Sequence, residues 1–271
     1  MSLLHIGVLA LIQGITEFLP VSSSGHLIVV PVLTGWPDQG LIVDVAVHVG
    51  TLGAVLLYFW RDIWRMIVGV VGLGKERLEN GAKLAGYLVV ATLPVITAGL
   101  VVNYYLAEVL RSLTVIAWAT LIFGIVLYVA DRRGMTVRRV EHMTLFDALI
   151  IGFAQVLALI PGTSRSGITM SAARMLGLER AEAARFSILL SIPAILGAGV
   201  LKTRDLYAAG DVQLSLDAAL AAGLAFAAAL IAIASLMAWL RRATFTPFVV
   251  YRVVLGAALL AVTYGFPGGF L

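Results

Sequence analysis

The sequence predicts an all-α polytopic membrane protein: two inverted-topology repeats, each a re-entrant helical hairpin followed by three transmembrane helices. Three observations lead there. Of 271 residues, 61% are hydrophobic and 13% charged, with a mean hydropathy of +1.02; a soluble domain carries about 25% charge. Six stretches have the length and apolar content of membrane spans. Two further apolar stretches are interrupted at mid-length by similar turns, and the prolines of those turns, Pro20 and Pro161, stand 141 residues apart. This composition excludes an ordinary soluble enzyme and a disordered chain. The absence of cysteine excludes disulfides and thiolate chemistry.

In chain order, the first interrupted stretch covers 2–35 and breaks at Pro20-Val-Ser-Ser-Ser-Gly25. Proline, glycine and small hydroxyl residues together stop one helix and cap the next, so a hairpin of two short helices is expected. Spans follow at 43–60, 84–102 and 112–130. The second interrupted stretch, 144–177, breaks at Pro161-Gly-Thr-Ser-Arg-Ser-Gly167, and spans follow at 186–201, 218–240 and 246–266, the last containing Arg252. The result is one integral membrane domain over 1–271, with repeats of approximately 1–135 and 142–271, ten helical segments and six full crossings. Irregular backbone at membrane depth must line a cavity or be buried in protein, so both hairpins are read as re-entrant. Three crossings per unit is an odd number, which inverts the second copy relative to the first. The first residues lack a basic start, and Glu17 and Pro20 occupy the place of a cleavage site, so no signal peptide is expected.

Loop charge supports this topology. Segments 61–83, 131–147, 174–185 and 241–246 fall on one side and hold fourteen of the nineteen basic residues, against three on the other. The positive-inside rule then places both termini outside.

The chemistry concentrates in the two breaks. Gln13 and Glu17 share a helix face, and an intramembrane carboxylate is costly and usually functional. Ser22, Ser23 and Ser24 sit where a helix begins, with His26 one turn further. Free N–H groups at a helix start, with hydroxyls, form an anion cradle; taken alone, Ser22 or Ser24 reads equally well as a simple cap. The second break adds Ser164, Arg165 and Ser166. A guanidinium at a second helix start is a phosphate clamp, or else an ion pair with Glu17 that staples the hairpins; the two roles are compatible. The set suits phosphoryl transfer from a lipid-borne phosphate. Arg165 would neutralise charge, Glu17 would act as base or bind a divalent cation, and Ser23 or His26 would be the nucleophile unless an activated water is. Inverted repeats with broken helices also occur in transporters, so a carrier or flippase for a polyprenyl phosphate lipid is the alternative.

The segments QGITEFLPVSSSGH and PGTSRSGIT, with the closing FTPFVVYR at 245–252, resemble the signature regions of the bacterial undecaprenyl-diphosphatase (bacitracin-resistance) family over nearly the whole chain. The resemblance implies a phosphatase of the bacterial inner (plasma) membrane that hydrolyses undecaprenyl diphosphate to undecaprenyl phosphate and inorganic phosphate. It would recycle the lipid carrier for cell-wall synthesis and contribute to bacitracin tolerance. It implies a divalent cation, Mg2+ or Ca2+, and a site opening to the outer face. By position it assigns the acidic motif to Gln13 and Glu17, the serine-histidine motif to Ser22, Ser23 and His26, and the arginine motif to Ser164, Arg165, Ser166 and Thr169. Many relatives carry glutamate where this chain has Gln13, so Glu17 would carry the acid role alone. The expected partners are the polyprenyl diphosphate and membrane lipids, with no nucleic acid; small-residue helix faces allow a homodimer.

Other polar residues read as structural. Asp44 and His48 are four apart and fit helix packing better than substrate contact. Arg252 is expected to snorkel or to pair between helices. His5 and His142 are expected to face headgroups or water, and Trp60 and Trp64 to form an interfacial belt with Tyr104 and Tyr105 on the other side.

Overall fold

The computed structural model describes residues 3–36, 40–72, 76–105, 112–207 and 212–265. Among them are eleven α-helices: α1 (Leu3–Thr16), α2 (Ser23–Thr34), α3 (Gly40–Tyr58), α4 (Trp60–Val70), α5 (Glu76–Tyr105), α6 (Leu113–Arg133), α7 (Leu145–Val156), α8 (Arg165–Met175), α9 (Arg180–Tyr207), α10 (Val212–Leu240) and α11 (Thr246–Gly265). Two single 3-10 turns, Val140–His142 and Leu157–Leu159, accompany them, and the described residues form no strand beyond one isolated bridge between Arg138 and Leu178.

The two broken stretches are helical pairs. At 1.5 Å per residue, α1, α2, α7 and α8 are each about 16–21 Å long, too short for a hydrocarbon core of about 30 Å. Among the described residues, four helical segments are long and apolar enough to cross: Asn80–Val101, Leu113–Arg133, Leu216–Leu240 and Thr246–Gly265. The expected span at 43–60 ends at Tyr58, where the chain turns by 79° into α4; counting that bent pair gives a fifth. The expected span at 186–201 lies within α9, whose side chains are described only as far as Gly197.

Helix α4 corrects the expected ten helical segments, because Trp60–Val70 falls where the sequence reading put a connecting segment. The stretch WRDIWRMIVGV alternates charge with bulky apolar residues at helical spacing. Trp60, Trp64, Ile67 and Val70 are exposed, while Met66 is buried. Such a helix has an apolar outer face and suits the membrane interface, which is why the chain leaves the direction of α3.

The four segments placed on one side by loop charge do meet. Arg185 bonds Asp62 at 2.6 Å, Arg139 bonds Glu179 at 3.4 Å, and Phe245 N–H donates to Asp131 at 3.2 Å. Many of the basic residues there are not free in solvent. Arg174, fully buried, and Arg180 both donate to Asp131, and Arg138 pairs with Asp147 at 2.6 Å. Burial opposes the charge of Arg185, but Asp62, Glu182 and Glu141 outweigh it and raise its pKa above the ordinary value.

The halves interlock. Helix α1 of the first hairpin packs on α10, and α7 of the second packs on α5. Gly50 on α3 lets the backbones touch: a Cβ there would lie 2.1 Å from the Ala222 carbonyl oxygen of α10. Leu93, Ile96, Ile122, Ile125, Ile231 and Val254 face outward, whereas Gln13, Arg174 and Arg252 are buried. The exterior suits lipid and the polar chemistry is inside.

Candidate active site

Both hairpin turns end in the same device. Ser22 caps α2 and accepts from Gly25 N–H at 3.3 Å; Ser164 caps α8 and accepts from Gly167 N–H at 3.1 Å. Both serines have left-handed backbones, with φ of 75° and 71°. A non-glycine residue in that region costs on the order of 1–3 kcal/mol and persists where the surroundings enforce it. The caps stand 142 residues apart, one more than the proline spacing, so Ser22 rather than Ser23 matches Ser164. Ser23 then matches Arg165, and the paired positions carry a hydroxyl and a guanidinium. The first-turn N–H groups of Ser23, Ser24, Arg165 and Ser166 have no intrahelical acceptor.

The tips touch. Arg165 Nη2 donates to Glu17 Oε1 at 3.0 Å, and the other guanidinium nitrogen, Nη1, donates to Ser187 O at 3.2 Å. Glu17 Oε2 accepts from Ser23 Oγ at 2.7 Å and from Gln13 Nε2 at 2.8 Å. Ser166 Oγ ties the second tip to Leu19 O of the first at 2.9 Å. Each of the sequence-derived residues thus falls at or beside this junction, though not all in the same way. Glu17 is buried, Ser23 and Arg165 are partly exposed, and Ser24 is exposed. Ser22, Ser164, Ser166 and Thr169 are buried with partners in the protein; Thr169 Oγ1 lies 2.8 Å from Arg165 O and 2.7 Å from Ser187 Oγ. Their hydroxyls shape the turns, and the hydroxyls of Ser23 and Ser24 are the ones on offer to a ligand.

His26 lies one turn along α2 from Ser23. Its Nδ1 is 2.7 Å from Ser22 O, and its Nε2 is 2.5 Å from the hydroxyl of Tyr251 on α11. His48 on α3 has its Nδ1 2.6 Å from Asp44 O and 3.8 Å from the Asp44 carboxylate. His5, expected to face headgroups, is instead buried with its ring 4.6 Å from that of Trp36. The side chains of Tyr104 and Tyr105 lie outside the described residues.

Of the two roles expected for Arg252, the structure has the second: it is fully buried, does not snorkel, and bonds between helices. Its guanidinium donates to Pro20 O at 3.3 Å and Gly162 O at 2.9 Å, one carbonyl from each turn, and to Thr120 O at 3.1 Å. Gly167 leaves room for this approach: a Cβ there would lie 2.9 Å from Arg252 Nη1. An ionisable residue inside an apolar span was signal enough to suspect a role; nothing in the sequence said that its partners would be backbone carbonyls. Arg165 and two helix N-termini meet one carboxylate here, with the Arg252 guanidinium bonded to the carbonyls behind them, an arrangement that suits a multiply charged anion. We expect Arg252→Gln to lower the thermal midpoint by several degrees, because buried carbonyls lose donors worth about 1–3 kcal/mol each. Lysine, lacking the fork, should not restore it. A melting series in detergent checks both; an unchanged midpoint would remove Arg252 as the clamp.

The fold and this junction define a class: an all-helical polytopic membrane protein in which two capped polar turns meet inside the bundle. The chain belongs to a known family, since residues 6–258 match the family model described as Bacitracin resistance protein BacA. Similar proteins include Undecaprenyl-diphosphatase of Ruegeria pomeroyi, 52% identical over 97% of this chain and all of the relative. Undecaprenyl-diphosphatase 1 of Rhodospirillum rubrum is 55% identical over 97% of this chain and 96% of the relative. Undecaprenyl-diphosphatase of Alteromonas mediterranea is 48% identical over 96% and 98%.

Proposed function

We propose that this protein is a membrane phosphatase that hydrolyses undecaprenyl diphosphate to undecaprenyl phosphate and inorganic phosphate. Family membership and the names carried by full-length relatives support this over a lipid transporter. The observation that carries the chemistry is the contact of Ser23 Oγ with Glu17 Oε2 at 2.7 Å, with Arg165 held on the other carboxylate oxygen.

Ser23 is the nucleophile in this reading. Glu17 removes its proton, and Ser23 Oγ attacks the terminal phosphorus. The bridging P–O bond breaks and undecaprenyl phosphate leaves. Water then cleaves the phosphoserine, Glu17 returns the proton to Ser23 Oγ, and inorganic phosphate is released. The N–H groups of Arg165 not used on Glu17 and Ser187, with the first-turn amides of α2 and α8, neutralise charge on the equatorial oxygens. Arg252 acts behind them by holding the turns.

A divalent cation, Mg2+ or Ca2+, fits this donor set only in company with the substrate. Among the described residues no three His, Asp or Glu side chains gather into a metal cage. Gln13 Oε1, however, is a buried acceptor without a partner beside Glu17. Glu17 and Gln13 Oε1 would hold the cation together with diphosphate oxygens, as Mg2+ is commonly held; bound there, it would supply neutralisation of the leaving group. EDTA should therefore stop phosphate release and Mg2+ or Ca2+ should restore it. Full turnover after chelation would remove the cation from the reading.

The same reading has six crossings and two inverted repeats, with both termini and the site on the outer side of the bacterial plasma membrane. The matched caps and the collected basic segments support it. Recycling of the carrier for peptidoglycan, tolerance of bacitracin and a homodimer through small-residue helix faces belong to it as well. Phosphate release from a polyprenyl diphosphate by purified protein is the direct test; no release would end the reading.

A further inference from the structure

His26 cannot reach a ligand directly in this arrangement, because both ring nitrogens are occupied. Ser22 O can only accept, so Nδ1, 2.7 Å away, must carry the hydrogen. The neutral ring then has its lone pair at Nε2, where the Tyr251 hydroxyl, 2.5 Å away, is the donor. The two rings lie parallel, 5.7 Å apart and 8° from coplanar orientation, which fixes the pair as a unit. Tyr251 is 45% exposed, the outermost member of the chain Ser22–His26–Tyr251. It is anchored by its neighbour Arg252, whose guanidinium reaches both turns.

We propose that Tyr251 is a catalytic residue, and that its hydroxyl relays the proton between the attacking water and His26. This rests on the reading above of a phosphoserine at Ser23. As the water oxygen bonds to phosphorus, one water proton passes to Tyr251 Oη. The tyrosine proton passes to His26 Nε2, leaving an imidazolium held by Ser22 O. The P–Oγ bond breaks, and Ser23 recovers its proton from Glu17. His26 then returns its proton through the phenol to the departing inorganic phosphate. No oxidant or further reactant is needed.

The test is Tyr251→Phe, which keeps the ring and removes the hydroxyl. The expected result is a kcat lower by about a hundredfold or more, the usual size of general acid–base assistance, with KM within about twofold. Labelled phosphoenzyme from terminally 32P-labelled polyprenyl diphosphate should accumulate. Turnover at or above the wild-type rate would overturn the relay and make the hydroxyl a plug on Nε2. If His26→Ala is fully active as well, the placement of His26 in the site fails; if His26→Ala is inactive and Tyr251→Phe is not, only the relay fails. A measurement on the unaltered protein stands beside the variant. Phosphoenzyme breakdown in mixtures of light and heavy water should follow a bowl-shaped curve, since two protons move together. A straight line overturns the proposal.

Discussion

Arg165→Ala is expected to lower phosphate release by about a thousandfold or more, the range over which a transition-state arginine acts on a transferring phosphoryl group. Two losses combine in that number. The substrate loses a planar donor at the start of α8, and Glu17 loses the partner bonded to its Oε1 at 3.0 Å. Glu17 is 8% exposed, so its charge cannot turn to solvent instead. Breaking a buried pair from one side typically costs about 3–5 kcal/mol, and the 17% exposure of Arg165 argues for the lower part of that range. Stability and activity must therefore be separated. The double variant Glu17→Gln with Arg165→Ala removes the stranded charge and should recover most of the thermal midpoint while staying inactive. Arg165→Lys should remain well below wild type, since an ammonium cannot serve Glu17, Ser187 O and a phosphate with one fixed fork. Near-normal turnover in Arg165→Ala would detach the second hairpin from the chemistry.

Ser23→Ala should be equally inactive and nearly normal in stability. The side chain is only half-buried, and its bond to Glu17 is worth about 1 kcal/mol at such partial exposure. The informative readout is covalent. Acid quenching of wild type with terminally 32P-labelled polyprenyl diphosphate should label Ser23, and Ser23→Ala should carry no label. Label on His26 in either protein would transfer the nucleophile to the imidazole and require the Tyr251 hydroxyl to leave Nε2. An unlabelled but active Ser23→Ala would favour direct attack by water.

Much of the site was readable from residue types. Glu17, His26 and Arg165 stand out because ionisable groups are expensive in a membrane segment. The prolines, glycines and hydroxyls at the two breaks announce where helices must stop and be capped. What the pattern hid has a physical cause in each case. The caps align at 142 residues because the register follows backbone hydrogen bonding, Gly25 to Ser22 and Gly167 to Ser164, and the prolines lie outside that unit. Helix α4 was missed because an interfacial helix is neither apolar enough for a span nor polar enough for a loop. Ser22, Ser166 and Thr169 looked like ligand groups because a hydroxyl has the same identity in sequence whether it faces a cavity or a carbonyl.

The amino-acid order by itself determined the class of the protein: composition sets the solvent, runs of apolar residues set the spans, and the two breaks set where polar chemistry can exist. It also singled out the ionisable residues, since each must have a reason to be in lipid. Only the tertiary structure decided which partners they have. Glu17 and Arg165 are 148 residues apart along the chain and 3.0 Å apart in space. Arg252 joins Pro20 and Gly162 through carbonyl oxygens, groups present in every residue and therefore without any signature in a sequence. Contacts between helices depend on how the two halves interlock, and that packing is a property of the whole chain.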